Sequence, residues 1–268
     1  MGTVGTVIHV ESPSDLADLP AEYRALGAGS NVLIDPEVSV PLVKVSPVYM
    51  ASVVTDYGVA CSAGATVATV SAIAQQRGLS GLEFATGVPA SIGGMVYMNF
   101  SCWGQVMADV VHRVLVYTPG QGLQWRDSYA TAYRWTAFHE SNDLIVAVEL
   151  ALKPANPETI QATMMDYLTQ RKQKQPVRAR TFGSVFKNPE GDYAARLIEA
   201  AGLKGYAVGG ACVSRCHANF IENTGNATYA NMMTVITHVQ NTVKSRYNIQ
   251  LECEVQILGF KKTNTLLA

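Results

Sequence analysis

LGAGSNVLI, residues 26–34, is the stretch on which the fold class turns. Glycines followed by a small hydroxyl and an amide resemble a nucleotide loop. The pattern is not GxGxxG, however, and NVLI runs straight into another strand-like segment where a dinucleotide fold requires a helix N-terminus. The Rossmann reading therefore fails, and a tight strand-loop-strand remains. Its backbone N–H groups, with the Ser30 and Asn31 side chains, form either a nest for phosphate or a plain hairpin turn. GVPASIGG, residues 87–94, is a second loop of the same kind, with Ser91 as a further donor. Together the loops make a clamp for pyrophosphate, or else two turns that a tightly wound fold needs.

Outward from these loops, TVIHV, YRAL, NVLI, PLVKV and VYMASVV have strand character, and VATVSAIAQQRG has apolar positions near a helical period with glycine just beyond. VVHRVLVYTPGQGLQW reads as a hairpin and DLIVAVELAL as a strong strand. PETIQATMMDYLTQRKQKQ reads as a helix capped near Asn156 with a basic end, and its Met164 and Met165 read as packing residues. YAARLIEAAG is a helix stopped by Gly202, ACVSRCHANFIEN a turn plus strand, and NATYANMMTVITHVQNTVKSRYN a long amphipathic helix. LECEVQILGF closes as a strand in which Glu252 and Glu254 face the same way by period two. The sum is an α+β protein, divided near 151–157 into residues 1–153 and 154–268.

The 268 residues, 48% hydrophobic, suffice for a buried core and two domains. With 20 basic and 21 acidic residues the net charge is −1, so no overall field favours nucleic acid or an anionic membrane. Any bound anion requires a local site. MGTVGTVIHVESPSDL carries no basic n-region and no sustained apolar run, so we expect neither signal peptide nor membrane span, and a cytoplasmic location. The five cysteines are odd in number and scattered, which fits free thiols in a reducing compartment. Cys212, Cys216 and His217 lack a matching second ligand cluster, and no metal site is expected.

GSVFKNPEG, residues 183–191, read as a strand, places Ser184, Phe186 and Asn188 on one side and Val185 and Lys187 on the other. Polar groups on both faces argue for the edge of a pocket.

LGAGSN, GLEFATGVPASIGGMVYMN, AYRWTAF, GSVFKNP, LIEAAGLKG, HANFIEN and LECEVQILG stand in the same order as the motifs of the UDP-N-acetylenolpyruvoylglucosamine reductases, the MurB family of peptidoglycan synthesis, which the chain closely resembles from about residue 25 to 259. The resemblance implies a fold of the FAD-linked oxidase (VAO/PCMH-like) type. In it an FAD-binding domain of two subdomains, here residues 1–153, is followed by a C-terminal αβ substrate-binding domain, here 154–268. It also implies non-covalent FAD, NADPH as reductant, a UDP-sugar substrate and a monomer, and the chain looks more like the type II branch. Hydride passes in that family from NADPH through FAD to C3 of an enolpyruvyl ether, and a proton is delivered to C2.

By the same resemblance Arg134 is the cation against the substrate carboxylate, Ser184 the proton donor and Glu254 the glutamate that assists. Gly27, Ala28, Gly29, Ser30, Asn31, Gly87, Ser91 and Gly94 fall on the FAD-binding loops. Tyr133, Lys174, Lys187, Asn188 and His217 fall on the substrate side. Asn219 matches with His217, as contact or loop support, and the ring of Trp103 either covers the flavin or fills the core. The chain departs from the family at Ala28 and Ala90, where glycine is usual, at Phe182, where a small residue is usual, and at Thr136, which replaces a serine. It also starts too late for a segment that helps enclose FAD. The alternatives are a flavin-binding relative with a changed acceptor and a sugar-nucleotide-binding protein without reductase activity.

Overall fold

The computed structural model describes residues 5–259. Among the described residues two compact units emerge: a larger one of Val7–Gly29 and Pro41–Gln173, and a smaller one of residues 5–6, Ser30–Val40 and 174–259.

In the larger unit an antiparallel five-stranded sheet runs in the order Gly122–Arg126, Val111–Thr118, Leu144–Ala151, Gly58–Ser62, Val53–Val54. DLIVAVELAL supplies its centre, and every residue from Leu144 to Leu150 is buried, because both faces are covered. A parallel sheet of Val7–Val10, Leu42–Val45 and Arg24–Ala25 forms beside it. Helix α1, Val67–Gln76, starts where the Thr66 hydroxyl accepts from the Thr69 N–H, buries Val67, Val70, Ser71 and Ala74, and ends at Gly78 with φ +63°. Helix α2, Ile92–Tyr97, begins inside the second glycine stretch, with Ser91 as its N-cap. Helix α3, Pro157–Lys174, is capped by Asn156, whose side-chain oxygen accepts from the N–H of Glu158 at 2.7 Å.

The smaller unit pairs Val32–Ile34 in parallel with Gln256–Leu258 and sets an antiparallel sheet of Ala207–Val208, Ala211–Val213 and Ile221–Asn223 beside helices α4, Ala194–Ala200, and α5, Tyr229–Tyr247. Met232, Val235, Ile236, Val239 and Val243 form the buried stripe of α5, at the spacing that puts them on one face. They pack with Phe182, Val185, Phe186, Leu197 and Ile198.

Three sequence readings need correction. VYMASVV is not one strand: Pro47 and the Ser46 hydroxyl, which accepts from Val48, start a 3₁₀ turn at Pro47–Tyr49, leaving only Val53–Val54 extended. GSVFKNP makes isolated bridges, Ser184 with Phe220 and Phe186 with Cys253, in place of a ladder. LECEVQILGF is a strand only at Gln256–Leu258, and its Phe260 lies outside the described residues. Among the described residues no helix is long and apolar enough to cross a membrane.

Candidate active site

The two glycine loops meet within the larger unit. A Cβ on Gly27 would lie 2.6 Å from the Ser91 hydroxyl oxygen and 3.5 Å from the Gly94 Cα, so this approach exists only because both positions lack side chains. Gly93 is pressed in the same way on Ala63, where a Cβ would come within 2.7 Å of the Ala63 methyl. The Ser91 hydroxyl accepts from the Gly94 N–H at 3.3 Å, and the Gly93 N–H donates to the Ala63 carbonyl at 2.8 Å. Gly29 and Gly87 have φ near +77° and +78°, where a side chain is strained. Ala28 is exposed, and Ala90 packs on the core while its carbonyl accepts from Val67. The two extra methyls therefore leave the meeting of the loops intact. This cradle, which a Cβ would fill, fits a phosphate-bearing cofactor that backbone must approach closely.

Ser30 and Asn31 belong to the smaller unit. The Asn31 side-chain amide donates to the Glu254 carbonyl at 3.2 Å, and its own carbonyl accepts from the Gln256 N–H at 3.0 Å. Asn31, expected on the cofactor loop, thus braces the segment that carries Glu254.

Arg134 sits at the tip of a hairpin between Thr131–Ala132 and Trp135–Thr136 in the left-handed region, φ +57°. Such a conformation costs a non-glycine residue roughly 1–3 kcal/mol and persists only where its surroundings enforce it. Here the Thr136 hydroxyl donates to the Tyr97 carbonyl at 2.9 Å, the Asn99 amide to the Ala132 carbonyl at 2.9 Å, and the Thr136 N–H to His139 Nδ1 at 3.3 Å. The Thr136 departure retains a hydroxyl, which this tie uses. An Arg134 guanidinium nitrogen donates to the Ser101 hydroxyl at 3.2 Å, and the Phe100 and exposed Tyr133 rings lie 5.2 and 5.4 Å away.

In the smaller unit the ridge 183–189 threads between two segments. On one side the Val185 N–H donates to the Asn219 carbonyl at 2.9 Å. The buried Asn219 side chain then takes both backbone groups of Phe186, accepting its N–H at 3.0 Å and donating to its carbonyl at 2.8 Å. On the other side the N–H groups of Glu254 and Val255 both donate to the Val185 carbonyl, at 2.8 and 3.3 Å. Two residues opposing one is a bulge, and it breaks strand alternation. Glu254, at the bulge, is buried, 9% exposed, whereas the Glu252 side chain two residues earlier is 73% exposed and pairs with Lys187 at 3.4 Å. Ser184 and Glu254 are held on adjoining backbone segments.

Asn188 accepts from the Ala194 N–H at 3.1 Å, which fixes the start of α4. His217 Nδ1 accepts from the Asn219 N–H at 3.3 Å, its ring meets Phe220 edge-on, and burial holds its pKa below the usual histidine value. Lys174 ends α3. Phe182 is buried in the core. Trp103 lies flat on Tyr167, centroids 5.0 Å apart and planes 3° from parallel.

Arg171 escaped sequence reading: it is buried on α3, where the basic run looks like a solvated helix end. Its spacing of four from Tyr167 places both on one helix face and was the available signal.

A glycine cradle in a unit of one antiparallel and one parallel sheet, together with a second αβ unit, fits an FAD-binding domain of the FAD-linked oxidase type with an appended domain. Family models agree: residues 13–127 match an FAD binding domain, and residues 175–258 match the C-terminal domain of UDP-N-acetylenolpyruvoylglucosamine reductase. The reductase of that name from Halalkalibacterium halodurans is 34% identical over 89% of this chain and 80% of its own length. The one from Limosilactobacillus reuteri is 35% identical over 93% of this chain and 86% of its own length. The crystal structure of the Thermus caldophilus enzyme (MurB) superposes with a TM-score of 0.84 at 31% identity, over 94% of this chain and 91% of that one. The chain belongs to the UDP-N-acetylenolpyruvoylglucosamine reductase family.

Proposed function

We propose that this chain reduces the enolpyruvyl ether of UDP-N-acetylglucosamine to UDP-N-acetylmuramate, a step of peptidoglycan precursor synthesis, with NADPH as reductant. Gly27, Ala28, Gly29, Gly87, Ser91 and Gly94 hold non-covalent FAD in this reading, with Ser30 and Asn31 beside them. When bound, FAD supplies a hydride relay between NADPH and C3 of the enolpyruvyl group. The FAD-binding function is assigned to residues 1–153 and substrate binding to 154–268, with α3 packed in the larger unit.

Hydride arrival at C3 builds negative charge at C2 that spreads into the substrate carboxylate. Arg134, a permanent cation with fixed donors, stabilises that charge. Ser184 transfers its hydroxyl proton to C2; a serine is a poor acid in water, so it works only when held against the carbon with an outlet for its charge. Glu254 supports this step by polarising the carboxylate or assisting proton delivery. Tyr133, Lys174, Lys187, Asn188 and His217 line the substrate side, the lysines steering diphosphate.

The observation that carries the reading is the pair of bonds from the Glu254 and Val255 N–H groups to the Val185 carbonyl, which ties the buried Glu254 to the Ser184 ridge, while Glu252 is exposed. Five free cysteines and the NADPH requirement suit a cytoplasmic protein, and we take it as a monomer. The test is an anaerobic visible spectrum of the FAD-loaded protein, first with NADPH and then with the enolpyruvyl sugar nucleotide. Bleaching followed by substrate-dependent recovery supports the proposal. Bleaching without recovery would point to a changed acceptor.

A further inference from the structure

Arg171 is a buried cation, 7% exposed, that the chemistry above leaves unused. An arginine stays charged when buried, so its position implies that something holds it there. Its Nε donates to the Thr86 carbonyl at 3.2 Å, and one terminal nitrogen lies 3.8 Å from the Cys102 sulfur. A Cβ on Gly87 would meet the Arg171 Cδ at 3.3 Å and the Leu168 Cδ1 at 2.9 Å, so the loop rests directly on this side chain. One turn earlier on the same face, Tyr167 carries the Trp103 ring.

Two parts of the site thereby rest on one face of α3. Thr86 and Gly87 open the 87–94 loop. Cys102 and Trp103 belong to the hairpin of Ser101–Cys102 with Gln105–Val106, whose Ser101 hydroxyl holds Arg134. We propose that Arg171 is a positioning residue: its guanidinium pre-forms the 87–94 loop for FAD and seats the 101–106 hairpin beneath Arg134. Lysine would not substitute, because the contact to Thr86 uses the Nε donor and the stem supports Gly87. This rests on the FAD site proposed above.

The test compares apoprotein variants by FAD dissociation constant and melting midpoint. Arg171→Met keeps the stem length and removes charge and donors. It is expected to weaken FAD binding by about tenfold or more, the scale of a lost charge-assisted hydrogen bond. A smaller change overturns the proposal, even if the midpoint falls. Leu168→Ala loosens packing on the same loop without touching a donor, and an equal loss of affinity there would overturn the assignment to the guanidinium. If Arg171→Met does not fold, Arg171→Lys, which keeps the charge and loses the Nε donor to Thr86, is held to the same tenfold criterion. Failure of the parent chain to take up FAD would overturn the functional reading and this inference together; unchanged affinity in the variant overturns this inference alone.

Discussion

The larger unit fixes its half of the machinery by leaving side chains out, and the smaller unit fixes its half by putting amides in. At the cradle, Gly27, Gly93 and Gly94 permit close approach, against the Ser91 hydroxyl and the Ala63 methyl. At the ridge, Asn219 takes both polar groups of Phe186 and Asn31 takes the Glu254 carbonyl. A surface built on omissions is sensitive to an added methyl. A ridge held by buried amides is sensitive to a lost one, because each orphaned polar group keeps its full desolvation penalty. The two constructions suit two tasks: close approach to a large planar cofactor in one, and placement of a single hydroxyl in the other.

That contrast breaks first if ridge variants disturb cofactor chemistry. Ser184→Ala is expected to leave bleaching by NADPH nearly intact and to slow substrate-dependent recovery by about 10²–10⁴-fold, the usual scale of a lost proton donor. Stopped-flow absorbance separates the halves, and a loss confined to the first half would remove Ser184 from its role. Arg134→Ala should impair the recovery phase without unfolding the protein.

Next in size is Asn219→Ala, which strands the N–H and carbonyl of Phe186 in the core. Roughly 2–5 kcal/mol of stability should be lost in urea unfolding, from two unsatisfied groups. Asn219→Asp keeps the acceptor but sets a buried carboxylate against the Phe186 carbonyl, and should not restore the loss. Equal melts for Asn219→Ala and the parent would show that the ridge does not depend on its clamp.

A smaller effect is expected at the cradle. In Gly27→Ala the new methyl displaces the Ser91 hydroxyl, which gives up its bond to Gly94. The cost is about 1–2 kcal/mol, on the scale of a lost helix cap, and FAD affinity should fall in equilibrium titration. If affinity holds, close approach at Gly27 is not what the cofactor needs.

The smallest expected effect is a pH dependence at His217. Burial lowers its pKa in the folded state, and Lys204 nearby acts in the same direction. Below about 6.5 the unfolded chain takes up the proton while the folded ring, whose Nδ1 accepts from Asn219, does not. Stability is therefore complete above the ordinary histidine value and declines as the pH falls from there toward the lowered one. His217→Gln should flatten that decline in melts across pH 5–7.5.

Much of this was legible in the chain. The absence of a helix after LGAGSN excluded a Rossmann fold, glycine and cap residues marked the helix ends at Gly78, Gly202 and Asn156, and an unbroken apolar run marked the central strand of the sheet. The roles proposed for Arg134, Ser184 and Glu254 came only from ordered motifs. Composition and period made Glu252 the equal of Glu254 and did not single out Arg171.

By itself the sequence determined what depends on neighbours along the chain: capping, turn chemistry, the glycines that permit positive φ, and the split into two composition regimes. Only the tertiary structure decided the rest. Glu254 is tied down and buried because its N–H meets the carbonyl of Val185, distant in sequence, whereas Glu252 lies opposite Lys187 and pairs with it at the surface. Asn31 turns to Glu254 because its strand pairs with Gln256–Leu258. Arg171 is buried because the loop at Thr86–Gly87 closes over it, and no local pattern encodes which distant carbonyl a guanidinium will meet.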